Sequence, residues 1–391
     1  MHICIIKNFY VNLKEKMETP FVFGKIASGK FFVDRTEELK RLSINFESGL
    51  NTMLISPRRW GKSSLVRKAG ELVSKQNKNI KVCYVDAFAI NTENEFYEVL
   101  ALEVIKQSSK KWEDWLKTGK EFLKSLVPQF SVGVDPQSDF KIKIDLKDKE
   151  SNYLELLNLP ENIAIKRKLK FVICIDEFQK IGVLKDSLAI QQRFRSAWQH
   201  HQNVCYCLFG SKRHVISDMF QNQAMPFYRF GDAIYLPKIE VKHWLKYIMK
   251  SFQENGKTIS QEMAEKIVSL VSNHPYYVQQ LSHQVFINTT NNVEDSIIEK
   301  ALSEIFNYYG IIYRKEVENL TQLQVNLLTA IVNGEKALNS KEVVKKYNLG
   351  TAGNILRTKQ ALENKEIIDF FEKESEFVDP FFKLWYKRYR N

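Results

Sequence analysis

The sequence predicts an α/β protein: a parallel sheet of about five strands with helices on both faces, then a helical region and a C-terminal winged helix. Three observations predict it. Short apolar runs alternate with helix-length stretches, the pattern of a parallel sheet covered on both sides. The first run, Thr52–Ile55, passes through a turn, Ser56–Gly61, into Lys62-Ser63-Ser64 and a helix, the strand–loop–helix context of a phosphate-binding loop. Near the end of the chain, three short helical segments precede IIDFFEKESEFV (Ile367–Val378), which reads as strand–turn–strand with a helix, Phe381–Arg390, behind it.

The totals bound the rest. A chain of 391 residues has room for two or three domains with their own cores. With 44% hydrophobic and 27% charged residues it reads as a soluble globular protein, expected in the cytoplasm. The net charge of +12 permits an anionic partner without demanding one. No apolar run reaches the ~18–20 residues of a membrane span. Cys83, Cys174, Cys205 and Cys207 fall in apolar strand-like runs and read, with Cys4, as small core hydrophobes of a reducing compartment. Cys205-x-Cys207 lacks metal-ligand spacing, and the scattered histidines are assigned to no metal; His200 and His201, adjacent on a helix, point apart.

In chain order, residues 1–18 read as a poorly structured extension, with Met17 a second plausible start. Residues 19–237 form the sheet domain. Asp34 is a candidate helix cap with Glu37 three residues on. After the first strand and its helix, Ser63–Gln76, come a strand, Ile80–Ala87, and a helix, Asn94–Lys106. An insertion follows, about residues 107–165. It carries Trp112, Trp115 and Phe122, an alternating stretch, Phe130–Leu146, that reads as a hairpin, and a helix, Glu150–Lys166; a solvated decoration is the expectation. Leu169–Phe178 is the third core strand, Ser187–His200 a helix, Asn203–Gly210 the fourth strand and Ala233–Leu236 the fifth. Residues 238–312 form a helical domain, with Pro275 opening one helix, and 313–391 the winged helix.

The chemistry concentrates at two landmarks. In Ser56-Pro57-Arg58-Arg59-Trp60-Gly61-Lys62-Ser63-Ser64, main-chain amides and a helix N-terminus would surround phosphate oxygens. Gly61 lets the backbone approach, Lys62 meets the β/γ-phosphates, and the Ser63 hydroxyl binds Mg²⁺. Ser56 stands where the commoner fingerprint has glycine. Downstream, Phe171–Ile175 is apolar throughout and ends in Asp176-Glu177 at the strand's C-terminal end, where ligands bind in open α/β sheets. Asp176 would hold the metal opposite Ser63, and Glu177 would act as general base on the attacking water. Ser211, ending the fourth strand, is a candidate γ-phosphate sensor. Arg195, Arg213 and Arg229 are candidates for the arginine that meets developing charge, and Arg229 is kept with the catalytic set.

SPRRWGKSSL, FVICIDEFQ, LFGSKRH, PFYRF and NHPYYVQQL together resemble the archaeal-type ATPases, within the AAA-type and STAND-like P-loop ATPases. The resemblance covers about Phe21 to Leu302, and the last segment is similar to the family's winged-helix end. It implies a P-loop NTPase fold of five parallel strands with a helical lid and a C-terminal winged helix. It also implies ATP and Mg²⁺ as ligands and a possible nucleotide-dependent oligomer. Asn273-His274-Pro275 matches a lid motif whose proline abuts the adenine, with Asn for Gly here. Phe32-Val33-Asp34-Arg35 resembles the box that lines the nucleotide's way in. No guanine-reading NKxD motif follows the fourth strand, which with the resemblance favours adenine.

Thr351–Asn364 would be the third helix of the winged helix, with Asn354, Arg357, Thr358 and Lys359 as candidate DNA contacts. From Arg314 on, fourteen Lys and Arg face eleven Asp and Glu, a weak electrostatic footprint, and Leu356, Leu362, Trp385 and Tyr386 suit a core. Docking of a protein target is therefore favoured over DNA. The function expected is Mg-dependent ATP hydrolysis coupled to movement of the lid and winged helix. The alternative is a nucleotide-gated DNA-binding or protein-docking regulator with little turnover.

Overall fold

The apolar runs become strands where expected. The computed structural model describes residues 19–109, 114, 117, 118, 130–135, 138–144, 150–371 and 374–390. The expectations for residues 1–18, Cys4, Trp112, Trp115 and Phe122 lie outside them. Contacts divide the chain into two units: Arg35–Pro237, and the described parts of Met1–Asp34 with Lys238–Asn391.

In the first unit five strands form one parallel sheet: β1 (Thr52–Ile55), β2 (Ile80–Asp86), β5 (Lys170–Asp176), β6 (Val204–Gly210) and β7 (Asp232–Tyr235). Their order is β2-β5-β6-β1-β7. Register pairs Asp86 with Asp176 and Ile55 with Gly210, so the C-terminal ends lie along one edge. Alternation assigns the two faces. Met53, Cys83, Ile173, Tyr206 and Leu208 share a core with α3 (Glu93–Ser108), α4 (Glu150–Arg167), α5 (Ser187–Trp198) and α6 (Arg213–Gln221). The opposite face carries Leu54, Cys174, Cys205 and Cys207, all buried. The apolar faces of α1 (Thr36–Ser48) and α2 (Lys62–Gln76) are likewise buried, through Leu42 and Phe46 and through Leu65, Val66 and Ala69.

The insertion differs from its expectation. Its hairpin forms, β3 (Phe130–Asp135) against β4 (Ser138–Ile144). But α4 is no solvated decoration: Leu156, Leu157, Leu159 and Ile163 are buried in the sheet's core. Those leucines fall at helical spacing on one face, which only burial against the sheet satisfies.

The second unit is helical: α7 (Val241–Gln253), α8 (Gln261–Leu270), α9 (Pro275–Asn288), α10 (Asp295–Glu318), α11 (Gln322–Val332), α12 (Lys341–Tyr347), α13 (Ala352–Asn364), the hairpin β8 (Ile368–Phe371) and β9 (Glu374–Phe377), and α14 (Pro380–Tyr389). The boundary expected after residue 312 falls inside α10, which contains no proline and tolerates the buried Gly310. Tyr313 on α10 donates to Asp379 Oδ2 at 3.0 Å, and its ring meets Trp385 and Phe382. The helical segment from residue 241 and the C-terminal segment thus share one hydrophobic core. Residues 19–34 belong to this unit as well: Phe21 is buried against Phe252 and Phe286, and Gln279 bonds the backbone at Val22 and Phe31. Among the described residues no helix is long and apolar enough to cross a membrane.

Candidate active site

The loop between β1 and α2 owes its shape to one glycine. Gly61 has φ +88°, and an added Cβ would meet nothing within 4 Å, so the left-handed backbone rather than crowding demands glycine. Arg59 also takes a positive φ of 62°. Ser56, Trp60 and Ser64 are buried, while Arg58 and Arg59 are exposed on the loop. Lys62 folds back into this loop. Its Nζ donates to Pro57 O at 2.8 Å, Ser56 O at 3.2 Å and Ser56 Oγ at 3.3 Å. Burial holds the ammonium down to about 8, against the pull of Glu177 and Asp176. A cation that satisfies itself on loop carbonyls is one for which a phosphate would be a better partner.

The acids of β5 stand beside it. Ser63 Oγ donates to Asp176 Oδ2 at 2.7 Å, and the Glu177 amide to Oδ1 at 2.8 Å. Burial pushes the Asp176 carboxyl up, the Ser63 bond opposes this, and the neighbouring Glu177 adds to it. A divalent cation would relieve that burial and that repulsion, so this pair fits one. Glu177 has φ 52° and ψ 37°, left-handed geometry that a non-glycine residue adopts at a cost of about 1 kcal/mol. From there the chain enters the 3-10 helix Phe178–Val183. Ser211 Oγ, just past β6, donates to Glu177 Oε2 at 2.9 Å. Lys62, Ser63, Asp176, Glu177 and Ser211 are therefore gathered at one edge of the sheet.

The arginines divide. Arg213 opens α6 two residues past Ser211, at the same edge. Arg195 does not: it lies over the Phe230 ring, 4.9 Å from the centroid, just before β7 begins. Arg229 precedes β7 too, exposed and over the Tyr228 ring. Because β7 runs parallel to β1, both sit at the N-terminal edge, away from the loop. An arginine's position relative to a strand's start, not its distance in sequence from the motif, decides which edge it serves.

Asp34 does not cap α1. The N-cap is Arg35, in left-handed geometry, and Glu38 rather than Glu37 is the acid engaged. The Arg35 guanidinium, 4% exposed, donates to Trp60 O at 3.3 Å, Pro237 O at 2.5 Å and Glu38 Oε1 at 3.2 Å. It thereby braces the loop, a role the sequence did not reveal. Gln179, two residues past Glu177 in FVICIDEFQ, was missed as well.

In the second unit Pro275 is the first residue of α9, and Asn273 Nδ2 donates to Ile239 O at 2.6 Å. On α13, Arg357 is exposed and Lys359 lies over the Phe370 ring. The Asn354 amide donates to the Thr351 cap hydroxyl, and Thr358 Oγ1 donates to Asn354 O at 2.7 Å. Leu362, Trp385 and Tyr386 are buried, but Leu356 is 60% exposed and not a core residue.

Comparison with known proteins bears on this arrangement. No curated protein matches the chain. Among solved structures, the Walker-type ATPase PABY2304 of Pyrococcus abyssi is similar at TM-score 0.65 and 17% identity, over 94% of this chain and 100% of that one. The Aeropyrum pernix ORC2 protein, in ADPNP–ADP complexes, follows at 0.56 and 14%, over 94% and 98%. The Aeropyrum pernix ORC1 protein in complex with DNA gives 0.50 and 12%, over 95% and 98%. At such identities these likenesses speak for the fold. Residues 311–388 match a probable winged-helix domain. Residues 32–281, nearly two thirds of the sequence, match the model of the ATPase domain found predominantly in Archaea, and the chain belongs to that family.

Proposed function

We propose that the chain binds Mg-ATP at the β1–α2 loop and hydrolyses it. The observation that carries this is the 2.7 Å contact of Ser63 Oγ with Asp176 Oδ2, beside the buried Lys62 and Glu177. Bound there, ATP would draw Lys62 from the Ser56 and Pro57 carbonyls onto its β/γ-phosphates, while loop amides and the α2 N-terminus take the remaining oxygens. Ser63 and Asp176 would hold Mg²⁺, which when bound neutralises charge on the β- and γ-phosphates. Glu177 accepts a proton from water as the water oxygen bonds to the γ-phosphorus and the bond to the β–γ bridging oxygen breaks. ADP and phosphate leave. Ser211, whose Oγ donates to Glu177 Oε2, is the candidate γ-phosphate sensor. Arg213 is the in-chain candidate for countering charge; Arg229 could reach a nucleotide only from a second copy of the chain.

Movement of the helical unit with nucleotide state is part of this reading. The chain crosses between units at Asp34–Arg35 and Pro237–Lys238. Arg35 bonds both the Pro237 carbonyl and the Trp60 carbonyl of the loop, so a loop displaced by phosphate pulls at both crossings. Phe32-Val33 and Asn273-His274-Pro275 are the candidates for adenine. For α13, exposed Arg357 and the DNA-bound ORC1 likeness favour duplex DNA as a second ligand; a protein target is the other outcome.

Steady-state phosphate release tests the reading, with Mg²⁺ or EDTA and with or without duplex DNA. Release that requires Mg²⁺ is expected. ATP binding without release supports instead a nucleotide-gated regulator. If DNA binds, it weakens with salt and with Arg357→Glu and Lys359→Glu.

A further inference from the structure

We infer that Gln179 is a positioning residue that fixes the Glu177 carboxylate for the attack of water, an inference that rests on the hydrolytic reading above. The left-handed turn at Glu177 and the bond from Lys180 N to Glu177 O, 2.9 Å, bring the chain back on itself. Gln179, 4% exposed, thereby reaches the carboxylate, and its Nε2 donates to Glu177 Oε2. Ser211 Oγ donates to the same oxygen at 2.9 Å. Two donors from different elements on one oxygen set the plane of the carboxylate. Among the described residues no hydrogen bond reaches Oε1, which is left to accept from a water.

Two further observations separate this from simple packing. Gln179 Oε1 is buried with no hydrogen-bond partner, a cost that a leucine or methionine of similar bulk would not carry. And Gly210 yields its side-chain space to this amide: an added Cβ there would collide with Oε1 and lie 2.9 Å from Cδ, although Gly210 has no positive φ that calls for glycine. A polar side chain kept in a dry slot at a stability cost, with its one satisfied group on the catalytic carboxylate, is placed for what it does to that carboxylate.

The full chain is compared with Gln179→Met, Gln179→Glu, Gln179→Ala, Gly210→Ala and the Gln179→Ala/Gly210→Ala pair. Gln179→Met is expected to lower kcat about 10- to 100-fold while the affinity for a fluorescent ATP analogue stays within about twofold. Relative to the parent, Gln179→Glu recovers kcat as pH falls from about 8 to 6, because the introduced carboxyl, once protonated, can donate to Glu177. Gly210→Ala lowers kcat and Tm in the parent and adds little in Gln179→Ala. A Gln179→Met protein that keeps kcat within about threefold overturns the inference and leaves the hydrolytic reading intact. Loss of kcat only in step with ATP affinity and Tm makes Gln179 structural and overturns it too. A parent that binds ATP but releases no phosphate overturns the hydrolytic reading, and this one with it.

Discussion

The two edges of the one parallel sheet carry similar residues and do different things. At the N-terminal edge, Glu161 accepts from the Asn203 amide at 3.0 Å and from Asn203 Nδ2 at 2.8 Å, and also from Gln202 N. Asn51 Oδ1 accepts from Tyr206 N at 2.9 Å. Asp232 takes Arg41 and Asn45; burial alone would raise its carboxyl, but those two partners bring it below the usual range. The His201 ring lies between Tyr206 Oη and Asn158 Oδ1, and burial lowers it to about 4. Every one of these groups is answered by another fixed group of the chain. At the C-terminal edge, by contrast, a buried ammonium rests on loop carbonyls and a buried carboxyl is pushed up. A saturated polar cluster holds strands together; one whose buried ammonium donates only to neutral oxygens is ready for a ligand.

Substitutions at the two edges should therefore fail differently. The largest effect is expected for Lys62→Ala, which weakens ATP binding by about 100-fold or more in a titration while leaving Tm near the parent's, since removing the buried ammonium also removes its burial cost. Unchanged ATP affinity would erase the contrast. Next comes Glu161→Ala, which takes the acceptor from two part-buried main-chain amides and should cost about 1–2 kcal/mol in denaturant unfolding. Its ATP affinity per folded molecule should not change, and a variant that lost affinity at full stability would show the edges to be coupled.

The smallest effect is a pH dependence of ATP affinity, which only the C-terminal edge predicts. Lys62 titrates near 8 when folded and empty, below its ordinary 10.5, so between these values the unfolded chain holds a proton that the folded chain has lost. Stability should rise with pH across that window. ATP affinity should fall, by up to about tenfold per unit above pH 8, because the triphosphate needs the ammonium charged. A flat affinity from pH 7 to 9.5 would place Lys62 away from the phosphates.

How much of this was legible depended on range. Thr52–Ile55, Gly61-Lys62-Ser63 and Phe171–Glu177 could be read because apolar runs bounded by glycine or acids mark buried strand ends locally. The pairing of Ser63 with Asp176 followed from two strands ending at one edge. Arg35, Gln179 and the left-handed Glu177 could not be read. Each depends on where backbone carbonyls and a turn fall in space, and nothing in IDEFQ announces a positive φ at its glutamate. Arg195 and Arg229 were misplaced for the same reason, since sequence distance does not say which edge a residue serves.

The most direct test of the central claim is Glu177→Gln assayed in parallel for nucleotide binding and for phosphate release. The amide keeps the side chain's shape and removes its capacity to take a proton, so the variant should bind Mg-ATP as the parent does and release phosphate at least about 100-fold more slowly. Equal release by variant and parent would contradict the account.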